Sequence, residues 1–248
     1  MGKADLHIHS TYSYDGTATV PAILEHVKRN TDLDVIAITD HDEIDGALEA
    51  VALAPQYGLD VIPGVEVSSA EGHVLALFVT QPVPPNLSLV ETVQCVAEQG
   101  GICIGAHPGG PWRWCLQEKN LYSALQTQGV ADTLLGLEVY NASLPYLGIN
   151  RKAHAIGQHL ALAQVGNSDA HLLWMIGLAA TEFPGKTAAD LKGALRDCLT
   201  TTTVSKRPLH YLASHLKNQF LRQLGLAYCS SATPGSPIVL RRLASVER

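Results

Sequence analysis

Two histidines separated by one residue stand near the start of the chain, in Asp5-Leu6-His7-Ile8-His9. Side chains alternate between the two faces of an extended strand, so His7 and His9 are expected on one face, while Leu6 and Ile8 pack on the other. Two imidazoles on one face can bind the same metal cluster. A polar strand face or a hydrogen-bonded histidine pair would give the same pattern, so the pair by itself leaves these interpretations open.

Further histidines and carboxylates occur at or near the ends of successive apolar segments. His41 follows the segment 35–38, and Pro108 prevents the strand before His107 from continuing. Glu66 lies within an otherwise apolar segment, where a buried carboxylate without a partner is costly and a cation is the natural explanation. The candidates found in this way are His7, His9, His41, Glu66, His73, His107, Glu138, Asp169 and His171.

The candidate set combines imidazoles and carboxylates without thiolates. Such donors suit zinc, manganese or iron and disfavour a structural zinc knuckle. The set exceeds what one ion binds, so the sequence predicts two or three divalent ions. Each residue alone has a structural alternative; His41, for example, could cap the following helix. Recurrence at strand ends, in a chain with 16% charged residues, favours the metal cluster.

The elements that must position these residues alternate between short apolar segments and amphipathic segments. The predicted strands are Ala4–Ile8, Val35–Thr39, Asp60–Ile62, His73–Val79, Ile102–Ala106, Leu135–Tyr140 and Ala163–Asn167. The predicted helices are Val20–Arg29, Ile44–Tyr57, Ser88–Gln99, Leu116–Gln128, Gly148–Leu160, Ala188–Leu199 and Leu209–Leu224. This order predicts an α/β fold of parallel strands, in an open sheet or a barrel with ligands at the C-terminal strand ends.

Composition bounds the class of protein. The 248 residues, 46% of them hydrophobic, fit one domain over residues 1–225 followed by a tail at 226–248. The net charge of -6 disfavours tight binding of a long nucleic acid. No apolar stretch is long enough to span a bilayer and no leader-like start is present, so we expect no membrane partner and a cytoplasmic location. Five cysteines without C-x-x-C spacing predict free thiols.

The order of the motifs resembles that of a known family. His7-x-His9, Thr39-Asp40-His41-Asp42, Gly64-Val65-Glu66, His107-Pro108 and Ser168-Asp169-Ala170-His171 fall within residues 4–180 and closely resemble the polymerase and histidinol phosphatase (PHP) superfamily of metal-dependent phosphoesterases. The resemblance implies a distorted (β/α)7 barrel with a trinuclear site, which is compatible with the predicted strands.

Carried over residue by residue, the resemblance implies a set of metal ligands. Glu66 would bridge two ions, and the role of Asp15 rests on the resemblance, because its local sequence predicts only a turn. Asn141 stands where other members have Cys or His. The implied ligands are His7, His9, Asp15, His41, Glu66, His107, Asp169 and His171, with His73 matching a ligand position of some members.

Residues next to the motifs are expected to support the site. Asp40 and Asp42 are expected to orient His41 by hydrogen bonds, and Glu138 to orient a ligand in the same way or to pair with a cation. The remaining histidines fall in predicted helices, where surface or core positions are expected; they are His26, His154, His159, His210 and His215.

Two basic segments could bind phosphate. In Trp112-Arg113-Trp114, Arg113 could hold a phosphate by a bidentate contact within a substrate lip, although a solvated loop is the alternative. Lys206-Arg207 is a second candidate that ordinary surface charge explains equally well.

The function predicted from these residues is hydrolysis of a phosphate ester by a metal-activated water. His41 or His171 would protonate the leaving group, and the substrate would be a small phosphorylated molecule, including a nucleotide. The alternatives are a short-oligonucleotide exonuclease, a catalytically lapsed phosphate-binding module stabilised by metal, and an amidohydrolase, which would need a bridging carboxylated lysine. The sequence predicts no oligomeric state.

Overall fold

The computed structural model describes residues 1–206, 213, 216, 217, 220, 221, 226–229 and 239–242. The strands are β1 (Gly2–Ile8), β2 (Val35–Ile38), β3 (Asp60–Ser69), β4 (Gly72–Leu77), β5 (Ile102–Gly105), β6 (Leu134–Asn141), β7 (Ala163–Asn167), β8 (Ala179–Phe183), β9 (Thr201–Val204), β10 (Leu226–Cys229) and β11 (Val239–Arg242). The helices are α1 (Val20–Asn30), α2 (Asp45–Tyr57), α3 (Leu89–Glu98), α4 (Glu118–Leu125), α5 (Asn150–His159) and α6 (Ala188–Arg196), with short 3-10 helices at Leu144–Tyr146 and Leu173–Met175. Most of the predicted helix Leu209–Leu224 lies outside the described residues.

Nine of the described strands form one sheet, in the order β7-β6-β5-β4-β3-β2-β1-β8-β9. β1 to β3 are parallel, as are β5 to β7, whereas β4 and β8 run antiparallel to their neighbours. The two ends of the sheet approach each other, because the Thr181 hydroxyl bonds both the N–H and the carbonyl of Gly166 at 3.1 and 3.0 Å. Backbone bonds also join Ala170 to His7 and His9. The result is a nearly closed barrel, which confirms the predicted α/β barrel class.

All seven predicted strands are present, but one does not run in the predicted direction. A two-residue turn at 70–71 joins β3 to β4, which is too short for a crossover and forces an antiparallel hairpin. His73, at the start of β4, therefore lies at the same edge of the barrel as the ends of the parallel strands. β8 and β9 were not predicted, because their short Thr-containing segments lack a long apolar run.

Apolar side chains divide into a layer inside the barrel and a layer beneath the helices. The inner cluster joins residues from strands all around the sheet, including Leu6, Val35, Leu75 and Ile104, with Leu191 of α6. Because α6 contacts β3, β6 and β8, it closes one end of the barrel. The other end is therefore left to the polar residues.

A bulge in β1 places its histidines in the barrel. The pairing of β1 with β2 shifts register between Asp5 and Ile8. Leu6 consequently belongs to the inner apolar cluster, and Ile8 to the outer one. The expectation that Leu6 and Ile8 share one packing face is wrong for this reason, since a bulge re-aims the side chains that follow it.

Within the described ranges, no helix combines the length and the apolar character needed to cross a bilayer.

Candidate metal centre

The nine residues predicted as metal ligands come together at the open end of the barrel. They are His7, His9, Asp15, His41, Glu66, His73, His107, Asp169 and His171, and they are buried or partly buried. Glu66 lies at the middle of the group. Its Oε1 is 2.7 Å from His73 Nδ1 and 3.0 Å from His107 Nε2. Its Oε2 is 3.0 to 3.3 Å from ring nitrogens of His41, His7 and His9.

Two aspartates complete the cluster. Asp15 Oδ2 lies 3.0 Å from His171 Nε2 and 3.3 Å from His41 Nε2. Asp169 Oδ1 lies 3.3 Å from His9 Nε2 and 3.5 Å from His171 Nδ1. Three groups have donor atoms within 4.8 Å of one another and could each hold an ion: His9, Asp15, His41 and His171; His7, His9 and Glu66; His41, Glu66 and His73.

The buried atoms of the centre fit bound cations better than hydrogen bonding to each other. Within the described part of the chain, His7 Nε2, His9 Nε2 and Glu66 Oε2 are buried without a hydrogen bond. Glu66 Oε2 nevertheless lies only 3.1 Å from His7 Nε2 and 3.3 Å from His9 Nε2. Two donors that each lie about 2.1 Å from one ion in tetrahedral geometry are about 3.4 Å apart. The spacing therefore suits a shared ion.

Backbone conformation at the strand exits aims ligands into the centre. His107 has φ 29° and Asp169 has φ 51°, so both adopt the left-handed region that is rare for residues other than glycine. Each follows the end of a parallel strand, β5 or β7. Such conformations concentrate at functional sites, where the surrounding structure offsets their cost.

The charges of the centre are strongly coupled. Burial opposes the charged form of His41, but the Glu66 and Asp15 carboxylates outweigh it and raise the pKa of His41 to about 9. Burial likewise opposes ionisation of Glu66, yet the surrounding histidines hold the pKa of Glu66 well below its usual range. At His9, burial and the neighbouring His171 lower the pKa to about 3. The centre thus presents ionised carboxylates and a neutral His9 to a cation.

Glu138 is a buried carboxylate that orients the ligands. Its Oε1 accepts hydrogen bonds from His7 Nδ1 and Asn167 Nδ2, both at 3.0 Å. Its Oε2 accepts from the His107 backbone N–H and from Asn141 Nδ2, both at 2.9 Å. Because Nδ1 of His7 carries the proton, Nε2 is left to face the centre. Of the two roles expected for Glu138, the structure shows the orienting one.

Glu138→Gln should weaken the centre without removing a ligand. The amide nitrogen of glutamine would face donors where a carboxylate oxygen now accepts, so His7 and His107 would lose a fixed orientation. We expect metal affinity to fall about 10- to 100-fold, measured by titration calorimetry. Glu98→Gln, an exposed position on α3, is the matched control. Unchanged affinity in Glu138→Gln would contradict the orienting role.

Among the described residues, neither the Asp40 nor the Asp42 side chain forms the expected hydrogen bond with His41. Asp40 instead accepts hydrogen bonds from the backbone N–H groups of Ser10 and Ser13 at 2.6 and 3.2 Å, which shapes the loop that follows β1. Asp42 accepts from the Ser68 N–H at 2.7 Å and so fixes the end of β3. Both carboxylates thus bind backbone N–H groups of neighbouring segments.

Asn141 uses its side chain to hold carboxylates. Its Nδ2 donates to Glu138 Oε2 at 2.9 Å and to Asp169 Oδ2 at 3.1 Å, while its Oδ1 accepts from the Ser143 N–H at 2.8 Å. An amide nitrogen that donates in this way has no lone pair for a metal. Asn141 therefore orients Asp169 so that Oδ1 faces the histidines.

A cleft of about 700 Å³ opens onto the centre. Arg113 is exposed and lines it, whereas Lys206 is exposed elsewhere on the surface and Arg207 lies outside the described residues. Trp114 and Tyr146 also line the cleft. No sequence pattern marks Tyr146, because it reaches His107 from the 3-10 helix Leu144–Tyr146, far along the chain. As expected, the helical histidines lie on the outer surface at His26, His154 and His159, while His210 and His215 fall outside the described ranges.

Comparison with known proteins gave concordant matches. A family model described as "PHP domain" matches residues 5–197. An uncharacterized protein of Methanocaldococcus jannaschii is 34% identical over 149 residues, which cover 56% of this chain and 82% of that protein. A 3',5'-nucleoside bisphosphate phosphatase of Chromobacterium violaceum is 35% identical over 129 residues, covering 46% of this chain and 44% of that protein.

The fold also matches a solved structure. It is a two-domain protein from Bacteroides vulgatus, described as containing a predicted PHP-like metal-dependent phosphoesterase. The TM-score is 0.67 at 19% identity, and the match covers 96% of this chain and 74% of that chain. At this level of identity the likeness concerns the fold.

Proposed function

This chain belongs to the PHP domain family of metal-dependent phosphoesterases, and we propose that it hydrolyses small phosphate esters, nucleotides included, at a cluster of two or three divalent ions. The observation that carries the proposal is the convergence of three carboxylates and six histidines on one open cleft. The relative from Chromobacterium violaceum, a nucleoside bisphosphate phosphatase, supports a substrate of this size.

The proposal assigns the ligands by contact. Glu66 would bridge ions through both oxygens, since each oxygen faces different histidines. Asp169 would bind through Oδ1, because Asn141 holds Oδ2. His171 would bind through Nε2, because its Nδ1 donates to the Asp169 carbonyl at 3.0 Å. The proposed ligand set is His7, His9, Asp15, His41, Glu66, His73, His107, Asp169 and His171, with Zn, Mn or Fe as the ions.

Divalent cations in such a centre lower the pKa of water towards about 7 and neutralise charge that develops on phosphoryl oxygens. The side chains of His41, His73 and His171 are 11 to 16% exposed, whereas those of His7 and His9 are fully buried. The cleft therefore orients the ester by admitting its phosphate on the side of the three exposed histidines. Both ring nitrogens of His41 face carboxylates, and those of His171 face a carboxylate and a carbonyl. Neither ring therefore directs a nitrogen at a leaving group. We assign His41 and His171 as ligands, and we assign protonation of the leaving group to water in the cleft.

Arg113 is proposed to bind the phosphate from the lip of the cleft. Its guanidinium is exposed there and can form a charge-assisted contact with a phosphoryl oxygen. Arg113→Ala should raise KM about tenfold with a smaller change in kcat, as expected for loss of one hydrogen bond to a charged group. Steady-state kinetics with a phosphate monoester measures this, and Arg151→Ala, exposed on α5, is the control. A KM unchanged in Arg113→Ala would contradict the assignment.

Phosphate release from a panel of substrates tests the function. Protein loaded with Mn, Zn or Fe is supplied with mononucleotides, nucleoside 3',5'-bisphosphates, sugar phosphates and short oligonucleotides. We expect release from small monoesters, while preference for oligonucleotides would indicate the exonuclease instead. Metal content by elemental analysis accompanies each assay. A filled centre that binds phosphate without turnover of any ester would contradict the proposal and support the lapsed binding module.

An amidohydrolase is less compatible with the site. The described residues that line the cleft include no lysine that could become a carboxylated bridging ligand. In the proposed centre, Glu66 would take the role of the bridging ligand instead.

A further inference from the structure

A series of aromatic rings runs outward from the centre to the lip of the cleft. The Tyr146 ring lies parallel to the His107 ring, with centroids 4.5 Å apart and planes at 4°. Trp114 Nε1 donates a hydrogen bond to the Tyr146 hydroxyl at 3.0 Å. Trp112 in turn lies parallel to Trp114, at 5.8 Å and 1°. The orientation of the Trp114 indole is therefore fixed on two sides.

Trp114 is held close to the centre yet remains accessible. Its backbone carbonyl accepts a hydrogen bond from the N–H of His73 at 2.9 Å, so it lies directly beside a proposed ligand. The side chain lines the cleft and is 37% exposed. An ordered, exposed indole at the entrance of a cleft is suited to stacking with a planar group.

The surroundings fit a molecule with a phosphate at one end and an aromatic ring at the other. Arg113 lies between the two tryptophans in sequence and lines the same cleft. Tyr14 borders the cleft as a second exposed aromatic residue, stacked on His41 with centroids 5.0 Å apart. A volume of about 700 Å³ accommodates a nucleoside monophosphate or an arylalkyl phosphate.

We propose that Trp114, oriented by Tyr146 and Trp112, forms a stacking subsite for a planar aromatic ring in the leaving group of the substrate. The preferred substrates are then phosphate esters that carry a nucleobase or an aryl group. This inference rests on the proposed phosphatase function and adds a determinant of specificity that the metal ligands do not supply.

Matched substrate pairs isolate the contribution of the ring. Adenosine 5'-phosphate and ribose 5-phosphate carry the same reacting ester. Benzyl phosphate and cyclohexylmethyl phosphate form a second pair, with the same kind of ester and leaving groups of similar size. We expect kcat/KM to be about tenfold higher for the aromatic member of each pair, mainly through KM. Trp114→Leu should reduce this ratio to about one, whereas Trp114→Phe should retain most of it. Tyr122→Leu, an exposed aromatic position on α4 outside this cleft, should leave the ratio unchanged.

A second variant keeps the test independent of the packing of Trp114. Tyr146→Phe deletes only the hydroxyl that accepts the indole hydrogen bond, and it should lower the ratio about threefold. Titration calorimetry with adenosine 5'-phosphate and ribose 5-phosphate measures the same preference as binding. Metal content is determined for every variant.

The outcomes separate the two claims. Hydrolysis of both members of each pair at equal efficiency, with no response to Trp114→Leu, would overturn the stacking subsite and leave the phosphatase intact. Absence of all hydrolysis would overturn the phosphatase, while calorimetry would still decide for or against stacking. A lower ratio in Trp114→Leu, with its metal content unchanged, supports the subsite.

Discussion

Glu66→Gln is expected to lower kcat/KM for phosphate esters by about 10³-fold and to reduce the metal content of the protein. Glutamine has nearly the same shape but no charge, and it offers one oxygen where the carboxylate offers two. Both oxygens of Glu66 are engaged, with five histidine ring nitrogens at 2.7 to 3.3 Å. Glutamine would remove the charge and one of the two oxygens from the middle of these histidines, so the residues around it would hold divalent ions less tightly.

The measurement combines phosphate release with elemental analysis of the purified variant. Glu98→Gln is the control, since Glu98 is exposed on α3 and lies away from the cleft. Thermal unfolding of Glu66→Gln distinguishes loss of the centre from loss of the fold. Activity and metal content equal to those of the unmodified protein would refute the central role of Glu66.

Removal of the divalent metal should abolish phosphate release, and its return at pH 7 should liberate protons. Burial opposes protonation of His41 and His107, but neighbouring groups, above all Glu66 and Asp15 at His41 and Cys115 and Glu66 at His107, raise their pKa values to about 9 and about 10. Both rings are then protonated at pH 7 in the metal-free protein. Glu66, Asp169 and Glu138 likewise hold the pKa of His7 well above its usual range against the effect of burial, so His7 is a third protonated ring. A histidine ligand must be neutral, so binding displaces about three protons.

Metal affinity is expected to increase with pH. Because protons compete with metal for the same nitrogens, the affinity should rise as pH approaches 9 and fall as pH drops below 7. Calorimetric titrations in buffers of different ionisation enthalpy report the number of protons released. His154→Ala, exposed on α5, should release as many as the unmodified protein. Metal affinity that is independent of pH, or uptake of protons on binding, would contradict the assignment of these histidines as ligands.

Local patterns in the sequence were sufficient to locate the elements and the candidate ligands. The seven predicted strands are largely apolar runs, and most of them carry at or near one end a polar residue that packing does not require, as at His41 and His107. The two-residue spacings of His7 and His9, and of Asp169 and His171, marked candidate ligand pairs through the alternation expected of an extended chain. In the structure, the β1 bulge and the left-handed backbone of Asp169 bring these side chains to the centre. The family resemblance contributed Asp15, whose local sequence shows only a turn.

Relations between distant segments were decided by the tertiary structure. His7 and Glu138 are 131 positions apart and meet only because near-closure of the sheet brings β1 beside β7, the neighbour of β6. The β1 bulge, which separates Leu6 from Ile8, depends on the register with β2. The role of Asn141 was settled in the same way. Its sequence position left open whether it binds metal, whereas its contacts show an amide that donates hydrogen bonds to two carboxylates.

The sequence by itself thus determined which residues can bind metal and at which strand ends they stand, because both properties depend on side-chain chemistry and local periodicity. Only the tertiary structure decided which carboxylate faces which histidine, and that Tyr146 connects the predicted lip at Trp114 to His107 of the centre. Those contacts depend on strand order, on the antiparallel β4 and on near-closure of the barrel. The physical reason is that a hydrogen bond or an ion pair is formed by atoms a few ångströms apart, and closure of the sheet sets these distances for segments far apart in the chain.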